Sequence, residues 1–140
     1  VDLNVKATFH VTQVVAAGMV ERAGGSIINM SSQMGHVGAA RRTVYCMTKH
    51  AVEGFTKALA IELAPSGVRV NSVAPTYIET PLTKPFFDDP DFRADTLGRI
   101  PLGRLGGVQD VVGAVVYLAS PASGLVTGTS LIVDGGYTAG

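Results

Sequence analysis

The sequence has 140 residues, 46% apolar and 16% charged, a composition that excludes a disordered chain and allows one domain with a sizeable core. Eleven basic and eleven acidic side chains cancel, so no cationic excess exists to clamp a phosphate backbone, and nucleic acid is not an expected partner. The lone cysteine, Cys46, has no internal disulfide partner and suits a reducing, cytoplasmic compartment, and the longest apolar run, Val111–Ala119, is under half of the roughly 20 residues that a membrane span needs.

Leu3 to Arg22 reads as a helix, with Val11, Val14, Val15, Met19 and Val20 at helical spacing and Ala23-Gly24-Gly25 ending it. Ser26 to Ser31 follows as a short strand, dense in apolar residues as buried parallel strands are. After a polar, glycine-rich loop from Ser32 to Arg42, a long helix is predicted from Thr43 to Ala64, stopped by Pro65 and Gly67. Val68 to Val73 makes a second strand, closed by Ala74-Pro75. Thr76 to Pro101 is rich in proline and aspartate around Phe86 and Phe87, and reads as a mobile loop with short helical pieces. A helix from Val108 to Ala119, with Asp110 in its first turn, precedes a last strand from Thr129 to Val133 that ends at Asp134-Gly135-Gly136.

Strands that alternate with helices imply a parallel sheet with right-handed crossovers and helices on both faces, an α/β architecture. The leading helix has no strand before it, and three strands make a small sheet. The pattern therefore reads as an architecture cut at its front edge.

Tyr45 and Lys49 stand four apart in the long helix and share one of its faces. A free tyrosine loses its proton near pH 10, and bringing that ~3 units toward neutrality takes ~4 kcal/mol. A lysine ammonium ~4 Å away, at an effective dielectric near 20, supplies about that much. The pair can thus serve as a general acid/base. Its spacing is equally that of a core tyrosine beside a solvated lysine. Ser31 and Ser32 add weight, because they stand at the carboxyl end of the first strand, where open parallel sheets place their ligands. A serine hydroxyl there can hold a substrate oxygen while Tyr45 moves its proton; a loop serine that caps a turn is the plainer alternative.

Asn4-Val5-Lys6-Ala7-Thr8-Phe9, Gly25 to Ser32, Tyr45-Cys46-Met47-Thr48-Lys49, Val68 to Pro75, Ile78-Glu79-Thr80-Pro81 and Asp134-Gly135-Gly136 fall in an order and spacing that resemble the short-chain dehydrogenase/reductases. The resemblance covers essentially the whole of residues 1–140. It implies the C-terminal, catalytic and substrate-binding half of a single Rossmann-like, doubly wound parallel sheet. It also implies NAD or NADP as cofactor, a small-molecule substrate and a homo-oligomer, either dimer or tetramer.

By the same resemblance Tyr45 is the proton donor and acceptor, and Lys49 holds the nicotinamide ribose. Ser32 orients the substrate oxygen, and Asn4 fixes a water that links Lys49 to solvent. Pro75, Thr76, Ile78 and Thr80 are expected at the nicotinamide, with Thr76 standing where the family usually has glycine. Members of the family also carry a glycine-rich pyrophosphate turn, and no Gly-x-Gly occurs in these residues. Gln33, His36, Arg41 and the adjacent Arg42 lie where the family builds part of its substrate pocket, and are equally consistent with a solvated loop.

No metal site is expected. Asp88, Asp89, Asp91 and Asp95 lack the spacing of a metal loop, and His10 and His50 lack partners at zinc-ligand spacing. Gly103 to Gly107 has no Gly-Lys-Ser/Thr ending and is not a P-loop. The leading expectation is an oxidoreductase that passes a hydride between a nicotinamide cofactor and a secondary alcohol or ketone, such as a sugar alcohol, sugar acid or small carbonyl compound. A 3-oxoacyl thioester reductase, and a non-catalytic fragment that acts only in oligomer assembly, are the alternatives.

Overall fold

The structure, a computed structural model, describes residues 1–140. Strands β1 (Gly25–Met30), β2 (Val68–Pro75) and β3 (Ser130–Val133) form one sheet in the order β1-β2-β3, parallel throughout. Gly25 pairs with Val68 and Met30 with Val73, while Ser72 pairs with Ser130 and Pro75 with Val133. All three carboxyl ends therefore meet along one edge of the sheet. Helix α1 (Thr8–Glu21) continues a π-helical turn at Asp2–Ala7, α2 (Thr43–Leu63) joins β1 to β2, and α5 (Val108–Ala119) precedes β3. Two short helices, α3 (Lys84–Phe87) and α4 (Pro90–Gly98), occupy the predicted proline-rich loop. No helix is long and apolar enough to cross a membrane.

Helices cover both faces of the sheet, which makes the fold a doubly wound, Rossmann-like α/β sheet. On one face Ala16 of α1 and Ala60 of α2 pack on Ile27, Val68 and Val70; on the other, Ala114 and Leu118 of α5 pack on Val73. β2 is central and buried along nearly its whole length, as its run of apolar and small residues requires. Gly67 allows the chain to enter it: its φ is +73°, and a Cβ there would lie 2.9 Å from the carbonyl oxygen of Ala23.

Two expectations shift in detail. The valines at helical spacing in α1 do not form its buried face: Val11 and Val14 are 64% and 75% exposed, and the buried positions are Thr12 and Ala16. Small residues let α1 approach β1 closely and turn the valines outward. The last strand begins at Ser130 rather than Thr129: the Thr129 N–H donates to the Asn71 side chain, while its carbonyl accepts from the Ser72 N–H at 2.9 Å.

The turn after β3 is held by a buried carboxylate. Asp134 accepts from the Gly136 N–H (2.9 Å), the Thr138 N–H (2.8 Å) and the Thr138 hydroxyl (2.7 Å). Burial alone raises its pKa, but these hydrogen bonds outweigh it and hold the carboxyl below the ordinary aspartate value. A depressed carboxylate contributes its full stabilisation above the unfolded value near pH 4, and loses it as pH falls through the lower folded value. Urea midpoints measured from pH 6 down to pH 3 should therefore fall more steeply in the parent protein than in Asp134→Asn. Parallel acid limbs would exclude this carboxylate as a source of the acid sensitivity.

Candidate active site

The carboxyl edge of the sheet opens into a cavity of about 460 Å³. Its floor comes from the end of β1, where Ser32 leaves the strand with extended backbone and begins a single 3₁₀ turn, Gln33–Gly35. The Ser32 hydroxyl accepts from the Met34 N–H at 3.2 Å and donates to Gln33 Oε1 at 2.7 Å. Both residues are buried, and both line the cavity. One wall is α2, which presents Arg42 at its N-cap and then Tyr45 and Lys49. The opposite wall is the segment Pro75–Ile78 with Thr80, pinned by the Gly106 N–H to Tyr77 carbonyl bond and the Glu79 N–H to Gly106 carbonyl bond. Phe86, Phe87 and Phe92 of α3 and α4 close the top against Tyr77, with ring centroids 5.7–6.2 Å apart among Tyr77, Phe87 and Phe92.

Lys49 is buried and donates to the Met30 carbonyl at 3.0 Å, which ties α2 to the end of β1. Its nitrogen lies 5.6 Å from the centre of the Tyr45 ring, within cation–π range. Burial pushes the Lys49 pKa down from the ordinary lysine value, and the Glu53 carboxylate one turn further along α2 partly restores it. Tyr77 is shifted the other way, raised first by burial and then by Tyr137.

Three of the predicted residues lie elsewhere. Asn4 does not line the cavity; its amide donates to Thr48 Oγ1 at 3.2 Å, and Thr48 donates to the Tyr45 carbonyl. His36 turns away beneath the 3₁₀ turn, where Nε2 lies 3.0 Å from Ser130 Oγ and 3.2 Å from Glu53 Oε1. Arg41 is exposed, with φ at +60°, and its neighbour Arg42 reaches the cavity in its place. The left-handed kink at Arg41 turns the chain into α2, which separates the two arginines. The aromatic wall and Glu53 were not singled out from sequence. Phe86 and Phe87 are visible there as a pair, but nothing local says what they face.

The residues fit the nicotinamide end of a dinucleotide. Thr76 Oγ1 is buried in the cavity wall with no hydrogen-bond partner, and Lys49 has given only one bond to protein through Met30. The backbone of Pro75–Ile78 borders the same space. A pyrophosphate-binding Gly-x-Gly is not among these residues.

A doubly wound parallel sheet with a tyrosine, a lysine, a serine and a ligand-sized cavity at its strand ends belongs to the class of open α/β folds that place ligands at their strand ends. Comparison with known proteins narrows the class. Residues 1–138 match the family model described as enoyl-(acyl carrier protein) reductase. L-xylulose reductase of Mus musculus is 42% identical over 139 residues, 99% of this chain and 57% of the relative. The 3-oxoacyl-[acyl-carrier-protein] reductase FabG of Vibrio harveyi is 43% identical over 136 residues, 97% of this chain and 55% of the relative. Among solved structures, a gluconate 5-dehydrogenase from Burkholderia cenocepacia, in complex with NADP and tartrate, superposes with a TM-score of 0.95 at 39% identity, over 98% of this chain and 54% of that one. The chain belongs to the short-chain dehydrogenase/reductase family, and spans little more than half the length of these relatives.

Proposed function

We propose that these residues form the proton-transfer and substrate-binding part of an NAD- or NADP-dependent oxidoreductase that interconverts a secondary alcohol and a ketone. The observation that carries the reading is the cavity itself, which gathers Ser32, Tyr45, Lys49 and the Pro75–Thr80 segment from three separate elements. When bound, the nicotinamide supplies or accepts the hydride. Tyr45 gives its phenolic proton to the substrate oxygen in reduction and takes it back in oxidation. Ser32, by turning its proton from Gln33 Oε1 to the same oxygen, polarises the carbonyl. The Lys49 ammonium offsets the negative charge that develops on Tyr45, and its free protons suit the ribose hydroxyls. Asn4, which anchors Thr48 beside Tyr45, keeps this turn of α2 in place.

The substrate follows from the charge of the walls. Arg42 and Lys49 are the charged residues that line the cavity, no carboxylate joins them, and the Arg42 guanidinium makes no hydrogen bond or ion pair within the protein, its bonds running through the backbone alone. That setting suits a small hydroxylated or acidic carbonyl compound, a sugar acid before a neutral sugar alcohol. Steady-state turnover of NADPH and NADH with a keto-aldonate, a neutral ketopentose and an acetoacetyl thioester tests the order in the intact protein. Arg42→Gln should raise KM for the keto acid about 10-fold or more, the worth of a charged hydrogen bond, and leave the ketopentose unchanged. Equal effects on both would remove Arg42 from substrate recognition.

A 3-oxoacyl thioester reductase is the second reading, favoured by the apolar roof of Phe86, Phe87 and Phe92, which would accept an acyl chain. Preferred turnover of the thioester in the same assay would select it. The exposed valines of α1 suit packing against a second copy, so a homo-oligomer is proposed, and the unpaired Cys46 suits a reducing, cytoplasmic setting.

A further inference from the structure

Apart from the residues that line the cavity lies a second polar cluster. Tyr45, Lys49 and Glu53 recur at four-residue intervals on α2, and along this row exposure falls from 39% to 9% to 5%. The innermost member, Glu53, is a buried carboxylate with partners on two strands and one turn. Ser72 of β2 donates to it at 2.9 and 3.1 Å, and Ser130 of β3 donates at 3.1 Å. His36 of the turn after Ser32 closes the ring at 3.2 Å.

A single carboxylate thus ties α2 to β2, to β3 and to the turn that carries Ser32. The turn is seated directly on this part of α2. A Cβ placed on Gly35 would meet Glu53 Cγ and the Lys49 carbonyl oxygen, each at 3.1 Å. Burying such a charge with one partner missing is costly, and apolar residues would fill the space at less cost, so stability alone does not account for it.

We propose that Glu53, held by His36, Ser72 and Ser130, is a positioning residue for proton transfer: it seats the Ser32 turn against α2 and fixes a negative charge one helical turn behind the Lys49 ammonium. The inference rests on the oxidoreductase reading above for its consequence, though not for its geometry. Burial works against the charged form of Lys49, and Glu53 is the group that opposes that effect. The other titratable groups around Lys49 are Tyr45 on its own helix, Arg42 on the cavity wall and His36 on the turn; β1 contributes the Met30 carbonyl. With the charge present, Lys49 keeps its proton while Tyr45 cycles.

Glu53→Gln in the intact protein keeps an oxygen for the two serines and removes the charge. The side-chain amine signal of Lys49, assigned by its loss in Lys49→Arg, is followed by NMR across alkaline pH. Its midpoint should move down in Glu53→Gln. The alkaline limb of kcat/KM should move the same way. Glu53→Asp, which draws the charge back by one methylene, should give a smaller shift in the same direction and carries the test if the Gln variant does not fold. Ser72→Ala removes a donor but no charge, so it should lower the Tm and leave the Lys49 midpoint within a few tenths of a unit. A Lys49 midpoint unmoved by loss or retraction of the Glu53 charge overturns the inference. A parent protein inert toward every carbonyl substrate sinks the oxidoreductase reading by itself, and does so independently of the NMR shift.

Discussion

Tyr45→Phe should lower kcat by about 10²–10⁴-fold in the intact protein, read as NAD(P)H absorbance under saturating cofactor and substrate. The substitution removes one oxygen. Phe keeps the ring over the Lys49 ammonium, fills the same volume against the cavity wall, and stays on a helix whose neighbours do not bond to the phenol. Since Tyr45 is 39% exposed, the Tm should hardly move, with a stability change within about 0.5 kcal/mol. Cofactor affinity should be retained as well, because Lys49 and the Pro75–Ile78 backbone are untouched. The signature is therefore a loss in kcat with little change in Tm or in cofactor binding. Activity within 10-fold of the parent would show that Tyr45 does not move the proton, and the assignment of the site would fall with it.

Asn71→Leu carries the largest expected effect on stability. Asn71 is fully buried at the centre of β2, and its amide bridges to the loop that leads into β3. Its Nδ2 donates to the Val126 carbonyl at 2.8 Å, and its Oδ1 accepts from the Thr129 N–H at 3.1 Å. Leucine has the same branched shape with bulkier methyl ends, and can make neither bond. Two part-buried backbone groups would lose their partners, at about 1–3 kcal/mol each, so a loss of roughly 2–6 kcal/mol is expected. Against the ~5–15 kcal/mol that holds a typical domain, that is a large fraction. Chemical denaturation should show the midpoint falling with no change in slope. A loss below about 1 kcal/mol would mean that water or a rearranged loop replaces the amide.

The elements that set the sheet were legible because each has a strong local signature. The β1 and β2 segments are apolar runs between turn residues, and the helix stops at Pro65 and Gly67 are local steric facts. Tyr45 and Lys49 were legible for the same reason, since four residues is one turn of one helix. Ser32 could be placed at the strand ends because parallel strands bring their carboxyl ends to one edge, and the Pro75–Thr80 segment through the family resemblance. His36 and Arg41 were not so placed. A loop residue's direction depends on the dihedrals of its neighbours, and the positive φ at Arg41 sends Arg42 to the cavity while the 3₁₀ turn sends His36 beneath it. The valines of α1 show another limit, because periodicity marks an apolar face and does not say which partner covers it.

From the sequence alone come the alternating α/β order, the strand ends that face the site, the Tyr45–Lys49 pair and the family resemblance. These depend on contacts within one element, or on rules that hold for any parallel sheet. The tertiary structure decided what surrounds them: that Glu53 sits behind Lys49 under two serines and a histidine, that three phenylalanines roof the cavity, and that Arg42 is its outer cation. Those contacts join residues far apart in the chain, Glu53 and Ser130 among them. Burial and bonding of that kind exist only once the sheet has brought the segments together, and no local pattern encodes them.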